Sequence, residues 1–121
     1  MILVDTSLWA DHLRVGVPAL AEALESSAVL AHPFVVGELA CGNLKNRREV
    51  LELLEALPQA PIASDHEVLE FIETRRLMGL GLGYIDMHLL ASVMLAADAR
   101  LWTRDKRLAS VAAKLRLGFS E

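Results

Sequence analysis

The sequence predicts an α/β fold in which a short parallel sheet is flanked by helices. Short apolar runs, such as Ile2-Leu3-Val4 and Leu101-Trp102-Thr103, alternate along the chain with segments of helical periodicity. This alternation is typical of proteins built from strand–helix–strand units. The length of 121 residues fits one domain, 1–121, and is enough to enclose a core.

Prolines and glycines set the expected boundaries in the first half of the chain. Ile2-Leu3-Val4 is expected to form a first, buried strand. Pro18 and Pro33 suit the first turn of a helix, and Gly16 and Gly42 suit the end of one. The elements predicted here are strand 2–4, helix 7–16, helix 18–25, strand 28–31, helix 33–41 and helix 46–57, the last capped by Asn46 and ended by Pro58.

A capping box and a glycine-rich loop organise the second half. Ser64 and Glu67 have the spacing of a capping box, which predicts a helix start. The glycines at 79, 81 and 83 predict a flexible loop that acts as a hinge before the next helix. The elements predicted here are strand 61–63, helix 64–78, helix 85–97, strand 101–103 and helix 105–115.

Composition narrows the functional classes. The net charge of −4 argues against permanent attachment to nucleic acid but leaves room for an enzyme that touches it briefly. No apolar run approaches the roughly 20 residues of a membrane helix, and no basic segment precedes the first apolar run as in a secretory signal. Cys41 is the only cysteine; we expect it to be a small buried hydrophobe, and we expect a cytoplasmic protein.

Four acidic residues lie where a parallel sheet could bring them together. Asp5 and Asp105 directly follow predicted strands, and ligands bind beyond the carboxyl ends of such strands. Asp86 begins a helix on its apolar face, and Glu38 lies one turn after Phe34 in another. Each acid also has a simpler interpretation, because Asp is a preferred helix cap and Glu38 could be a half-exposed helix residue.

If the four carboxylates converge, they need a cation or protons. Two like charges about 4 Å apart repel by roughly 4 kcal/mol at an effective dielectric constant of about 20, a large share of a domain's net stability of about 5–15 kcal/mol. A site made only of carboxylates favours Mg²⁺, with Mn²⁺ as a second possibility. The corresponding chemistry is hydrolysis of a phosphodiester.

The same residues resemble the motifs of the PIN-domain ribonucleases, specifically the VapC-type toxins of bacterial type II toxin–antitoxin systems. The resemblance covers nearly the whole chain, although the segment 44–78 carries no motif. The matching stretches are Ile2-Leu3-Val4-Asp5-Thr6-Ser7, Val36-Gly37-Glu38-Leu39, Gly83-Tyr84-Ile85-Asp86-Met87-His88-Leu89-Leu90-Ala91 and Leu101-Trp102-Thr103-Arg104-Asp105-Lys106-Arg107-Leu108.

The resemblance implies a PIN-like three-layer α/β/α fold and a Mg²⁺-dependent endoribonuclease that cleaves structured RNA such as tRNA or rRNA. It also implies a homodimer and a small VapB-like antitoxin protein as partner. Thr6 and Thr103 would orient carboxylates or water. The acids that it implies as metal-binding and catalytic residues are Asp5, Glu38, Asp86 and Asp105.

The charged residues around the last acid admit two interpretations. Arg104, Lys106 and Arg107 could form a basic rim that guides RNA phosphates, or they could be an ordinary solvated helix start. Two other functions also fit part of the pattern. A catalytically inactive PIN-like fold could serve as an RNA-binding or assembly module. A phosphoacceptor receiver domain is less favoured, because no second acid pairs with Asp5 and no lysine ends a predicted strand.

Charge repulsion among the acids also predicts the behaviour of two variants. Asp5→Asn and Asp86→Asn should each abolish cleavage. Since each substitution removes one of the repelling charges, both should leave the metal-free fold intact or more stable.

Overall fold

Three short parallel strands form the centre of the molecule, whose computed structural model describes residues 1–121. The first strand, β1 (Ile2–Val4), lies between β2 (Val29–Leu30) and β3 (Arg100–Trp102). Backbone pairing aligns Leu3 with Leu30 on one side and Val4 with Trp102 on the other. Because the strands are parallel, their carboxyl ends meet along one edge.

Seven helices surround this sheet in the expected three-layer α/β/α arrangement. All seven helices start and end within about three residues of the predicted boundaries. The helices are α1 (Thr6–Val15), α2 (Pro18–Glu25), α3 (Pro33–Ala40), α4 (Arg47–Ala56), α5 (Asp65–Arg75), α6 (Tyr84–Leu95) and α7 (Lys106–Lys114).

The predicted strand 61–63 is wrong. The chain pairs with the sheet edge slightly earlier, through a parallel bridge between Gln59 and Ala31. The backbone N–H of Ala31 donates to the carbonyl of Pro58, and that of Ala60 donates to the carbonyl of Ala31. Pro61 has no N–H to continue this ladder, so the chain leaves the sheet before residue 61.

The capping box of α5 is confirmed, since Ser64 and Glu67 each accept a hydrogen bond from the other's backbone N–H. The helix nevertheless ends before residue 78, because Arg76 takes a left-handed conformation with φ of 54° and turns the buried Leu77 into the core. Asn46 stands at the start of α4 but makes no side-chain cap. Cys41 was expected to be buried and is exposed.

The core joins every helix and strand in one cluster of 27 buried residues. Helix α6 contributes most to it, with each residue from Met87 to Val93 buried. Trp9 and Trp102, at 1% and 2% exposure, are packed inside rather than available for stacking. None of the helices combines the length and the apolar character needed to cross a membrane.

Candidate active site

The register of the sheet places Asp5 beside Thr103. Val4 pairs with Trp102, and the backbone N–H of Asp5 donates to the carbonyl of Trp102 over 3.0 Å. The next residue on each strand therefore lies at the same carboxyl edge. Asp5 is only 7% exposed there, so its carboxylate depends on partners supplied by the protein.

Three donors hold the Asp5 carboxylate. The backbone N–H of Thr6 donates to Oδ1 over 2.6 Å, while the Thr103 and Ser7 hydroxyls donate to Oδ2 over 2.6 Å and 3.1 Å. Both hydroxyls also accept a backbone N–H, from Asp105 and Arg104 respectively. Ser7 has no role among the predictions from sequence, although its place two residues after an acid at a helix start is typical of such contacts.

Glu38 reaches the same edge from α3. Helix α1 packs against α3, and the Thr6 hydroxyl donates to Glu38 Oε1 over 2.7 Å. Thr6 therefore touches two acids at once, through its backbone at Asp5 and through its side chain at Glu38. That Thr6 orients these carboxylates for chemistry stays a prediction.

Asp86 arrives on the first turn of α6, where it is half-buried. Its Oδ2 accepts a hydrogen bond from the backbone N–H of Gly83 over 3.0 Å. Burial raises the pKa of this carboxyl above its ordinary value of 3.8, and the hydrogen bond from Gly83 opposes the rise.

The charges that add to this rise identify the neighbours of Asp86. The negative charges of three other acids also push its pKa upward; they are Asp5, Asp105 and Glu38. These three acids, which come from separate parts of the chain, are therefore close enough to Asp86 for their charges to act on it. Such mutual repulsion makes the site electrostatically receptive to a cation.

Asp105 combines a site position with a capping role. Its Oδ1 accepts from the backbone N–H of Leu108 over 3.0 Å, which caps α7. Its own N–H donates to the Thr103 hydroxyl, so Thr103 connects Asp5 with Asp105. The simpler interpretation of Asp105 as a helix cap is therefore correct in part, because one oxygen is occupied and the other is not.

The four carboxylates do not surround one point at direct ligand distance. Their oxygens are partly engaged by Thr6, Thr103, Gly83 and Leu108. The donors, all oxygen and all anionic, fit a hard divalent cation.

The three residues of the predicted basic rim differ in their ion pairs. Arg104 is engaged by two acids, since its guanidinium lies 3.1 Å from Asp11 and 3.5 Å from Glu121. Lys106 and Arg107 make no such ion pair. The Arg107 side chain instead lies against Gly81, where a β-carbon would come within 2.6 Å of it. Arg107 therefore lies along the glycine loop that leads to Asp86.

The fold and the site together define a class of protein, namely small α/β domains that gather carboxylates at the carboxyl edge of a parallel sheet. The family model of the PIN domain matches residues 2–114. The chain therefore belongs to the PIN-domain family, as its motifs predicted.

Close relatives place the chain within that family. It is 48% identical over 121 residues to Ribonuclease VapC32 from two strains of Mycobacterium tuberculosis, and the match covers 100% of this chain and 98% of the relative. The relationship confirms the predicted VapC-type membership and the predicted enzyme class, a nuclease. A receiver domain is excluded by the same match.

Proposed function

We propose that this protein is a divalent-cation-dependent endoribonuclease that acts as the toxin of a toxin–antitoxin module. The observation that carries the proposal is the hydrogen-bonded edge of the sheet, where Thr103 contacts Asp5 and Asp105 and Thr6 contacts Asp5 and Glu38. The negative charges of the same three acids raise the pKa of Asp86. A protein tolerates such repulsion at a cost in stability, and function is the usual reason for keeping it. The name of the relatives, Ribonuclease VapC32, supports RNA as the substrate.

Mg²⁺ is the proposed cofactor and Mn²⁺ a possible substitute, held by Asp5 and Asp86 with help from Glu38 and Asp105. When bound, the cation supplies charge neutralisation at the phosphate and lowers the pKa of water, the nucleophile of hydrolysis. The chain's own side chains supply orientation. Thr103 and Ser7 fix Asp5 through Oδ2, and Thr6 fixes Glu38, so neither carboxylate has to reorganise when a substrate arrives.

Substrate recognition at this site is expected to use the two basic residues without acidic partners. Lys106 and Arg107 follow Asp105 at the start of α7, so they flank the acids at the point where an RNA backbone would pass. Arg104 contributes less, because Asp11 and Glu121 already neutralise it. Structured cellular RNA, either tRNA or rRNA, remains the proposed substrate class.

The proposed partners are a VapB-like antitoxin and a second copy of the chain. The exposed apolar side chains support such contacts, since Ile62, Leu69 and Val15 are 60%, 57% and 67% exposed, and surfaces of this kind favour association. Size-exclusion chromatography with light scattering tests the dimer. A short reading frame with a DNA-binding pattern immediately upstream would support the antitoxin and a cytoplasmic module.

RNA cleavage by the purified protein tests the enzyme. We expect fragments from total bacterial RNA in Mg²⁺, none in EDTA, and at least about 100-fold slower cleavage by Asp86→Asn, since losing even an outer partner of a metal ligand typically costs about 10–100-fold. Folded wild-type protein that binds RNA without cleaving it in Mg²⁺ or Mn²⁺ would instead identify the inactive RNA-binding module.

Growth of bacteria that express the chain tests the toxin role separately. We expect arrest with the wild type and normal growth with Asp86→Asn at equal amounts of folded protein. Normal growth with both would contradict the toxin role while leaving the nuclease activity to the cleavage assay.

A further inference from the structure

A single carboxylate from α5 holds the first two turns of α6. Asp65 Oδ1 accepts a hydrogen bond from the Tyr84 hydroxyl over 2.9 Å and lies 3.2 Å from His88 Nε2. Tyr84 and His88 are four residues apart, so they lie on one face of the helix. Asp86 lies between them in the sequence. Asp65 therefore contacts α6 on both sides of Asp86.

The contact between His88 and Asp65 involves a buried ring. The ring is only 2% exposed, and its Nδ1 has no hydrogen-bond partner, so Asp65 is the polar partner of a buried group that would otherwise have none. The rings of Phe34 and Tyr84 pack edge-on against it, each with centroids 4.7 Å away. Phe34 lies one turn before Glu38 in α3, so the ring also joins the helices that carry Glu38 and Asp86.

Helix α6 needs such an anchor because its own start is weak. The residue at its N-cap is Gly83, which has no side chain to cap the helix, and the loop before it contains Gly79 and Gly81 at positive φ. The remaining cap is the bond from the Gly83 N–H to Asp86 itself. This bond occupies Oδ2 of Asp86 and leaves Oδ1 open to a cation, so the contacts with Asp65 are the other side-chain bonds that fix this turn.

We propose that Asp65 is a positioning residue for the acid site, acting through Tyr84 and His88 to fix the direction in which Asp86 meets the cation. The proposal rests on the proposed metal-dependent nuclease function. The place of Asp65 is fixed by the capping box that starts α5.

The test compares Asp65→Ala with Asp65→Asn, which keeps an oxygen acceptor, and with Glu70→Ala, which removes an exposed acid from the same helix. Mn²⁺ affinity is measured by calorimetry, and kcat and KM are measured on an RNA oligonucleotide that spans the cleaved site. For Asp65→Ala we expect Mn²⁺ binding and kcat each to fall about 10-fold, the lower end for groups that orient a metal ligand, with KM unchanged. Asp65→Asn should recover most of both, and Glu70→Ala should match the wild type.

Two results would overturn the proposal. In one, Asp65→Ala lowers the melting temperature while Mn²⁺ affinity and kcat stay within twofold of the wild type, which is the behaviour of a merely structural contact. In the other, Asp65→Asn is as impaired as Asp65→Ala. If Asp65→Ala does not fold, Tyr84→Phe removes one of the two contacts and should weaken Mn²⁺ binding about threefold. If the wild type does not cleave RNA, the proposed function fails, and Mn²⁺ affinity alone decides the role of Asp65.

Discussion

Asp5 and Asp86 belong to the same acid site, but the protein treats their charges in opposite ways. Asp5 is nearly buried and receives three hydrogen bonds, two of them from hydroxyls. Asp86 is half-buried and receives one, from Gly83, while burial and three neighbouring charges raise its pKa. The fold itself therefore stabilises the Asp5 carboxylate, whereas it leaves the Asp86 carboxylate with one hydrogen bond among three repelling charges.

Among changes that leave the four acids in place, removing the Thr103 hydroxyl from Asp5 should have the largest effect. Thr103→Val keeps the shape but removes the donor to Asp5 and the acceptor for the Asp105 N–H. We expect cleavage to slow about 10–100-fold, measured as kcat/KM on a defined RNA. Thr74→Val, at an exposed threonine of α5, is the matched control, and equal rates for the two variants would refute the role of Thr103.

Adding Mg²⁺ should stabilise the wild type through Asp86. Because a ligand that binds only the folded state stabilises it by mass action, saturation at about 100 times the dissociation constant adds roughly 2.7 kcal/mol. Thermal melts should therefore shift upward for the wild type and for Glu49→Gln, which alters an exposed acid in α4, but not for Asp86→Asn. If the melting temperature of the wild type does not change with Mg²⁺, the proposed metal site is wrong.

Without metal, the two Asn variants should differ in the sign of their stability change. Charge repulsion alone suggested that both would be neutral or stabilising. The structure indicates otherwise for Asp5→Asn, because its amide would face hydroxyls that already donate towards that position, and an unsatisfied buried group costs about 1–3 kcal/mol. Urea unfolding in EDTA should show Asp5→Asn less stable than the wild type and Asp86→Asn equal or more stable. If both variants change the free energy of unfolding in the same direction, the proposed difference between Asp5 and Asp86 is wrong.

The raised pKa of Asp86 should make the free energy of unfolding depend on pH. Since folding raises its pKa above 3.8, the folded state holds the proton more tightly, so the associated stabilisation is complete below pH 3.8 and is lost as pH rises through the folded pKa. Metal-free wild type should therefore lose stability relative to Asp86→Asn across that window. A difference that does not change with pH would contradict the raised pKa.

The smallest effect should separate the two sides of the basic rim. Arg104 lies on the Asp5 side and is paired with Asp11, whereas Arg107 lies along the loop that leads to Asp86. Arg107→Gln should reduce the dependence of RNA binding on salt, with a log–log slope smaller by about 0.7 for each lost phosphate contact to a single strand. Arg104→Gln should change the slope less, and the reverse order would assign RNA contact to Arg104.

Much of the fold was readable because its signals are local. The capping box at Ser64, the proline at the start of α3 and the glycine after α1 each act within about four residues, and the structure has all three. The errors differ in cause. Pro61 has no N–H to extend the sheet, which is a local property, whereas α5 ends at Arg76 so that Leu77 can be buried. Ser7 had a local signal beside Asp5, but the contacts of Asp65 lie 19 and 23 positions along the chain.

By itself, the sequence determined the order of strands and helices and placed an acid at the end of β1 and at the starts of α6 and α7, since helical periodicity and capping are properties of neighbouring residues. Only the tertiary structure decided that Asp5 receives three hydrogen bonds and Asp86 only one. Asp5 meets Thr103 across 98 positions of sequence, and the parallel register that joins them is a property of the folded sheet.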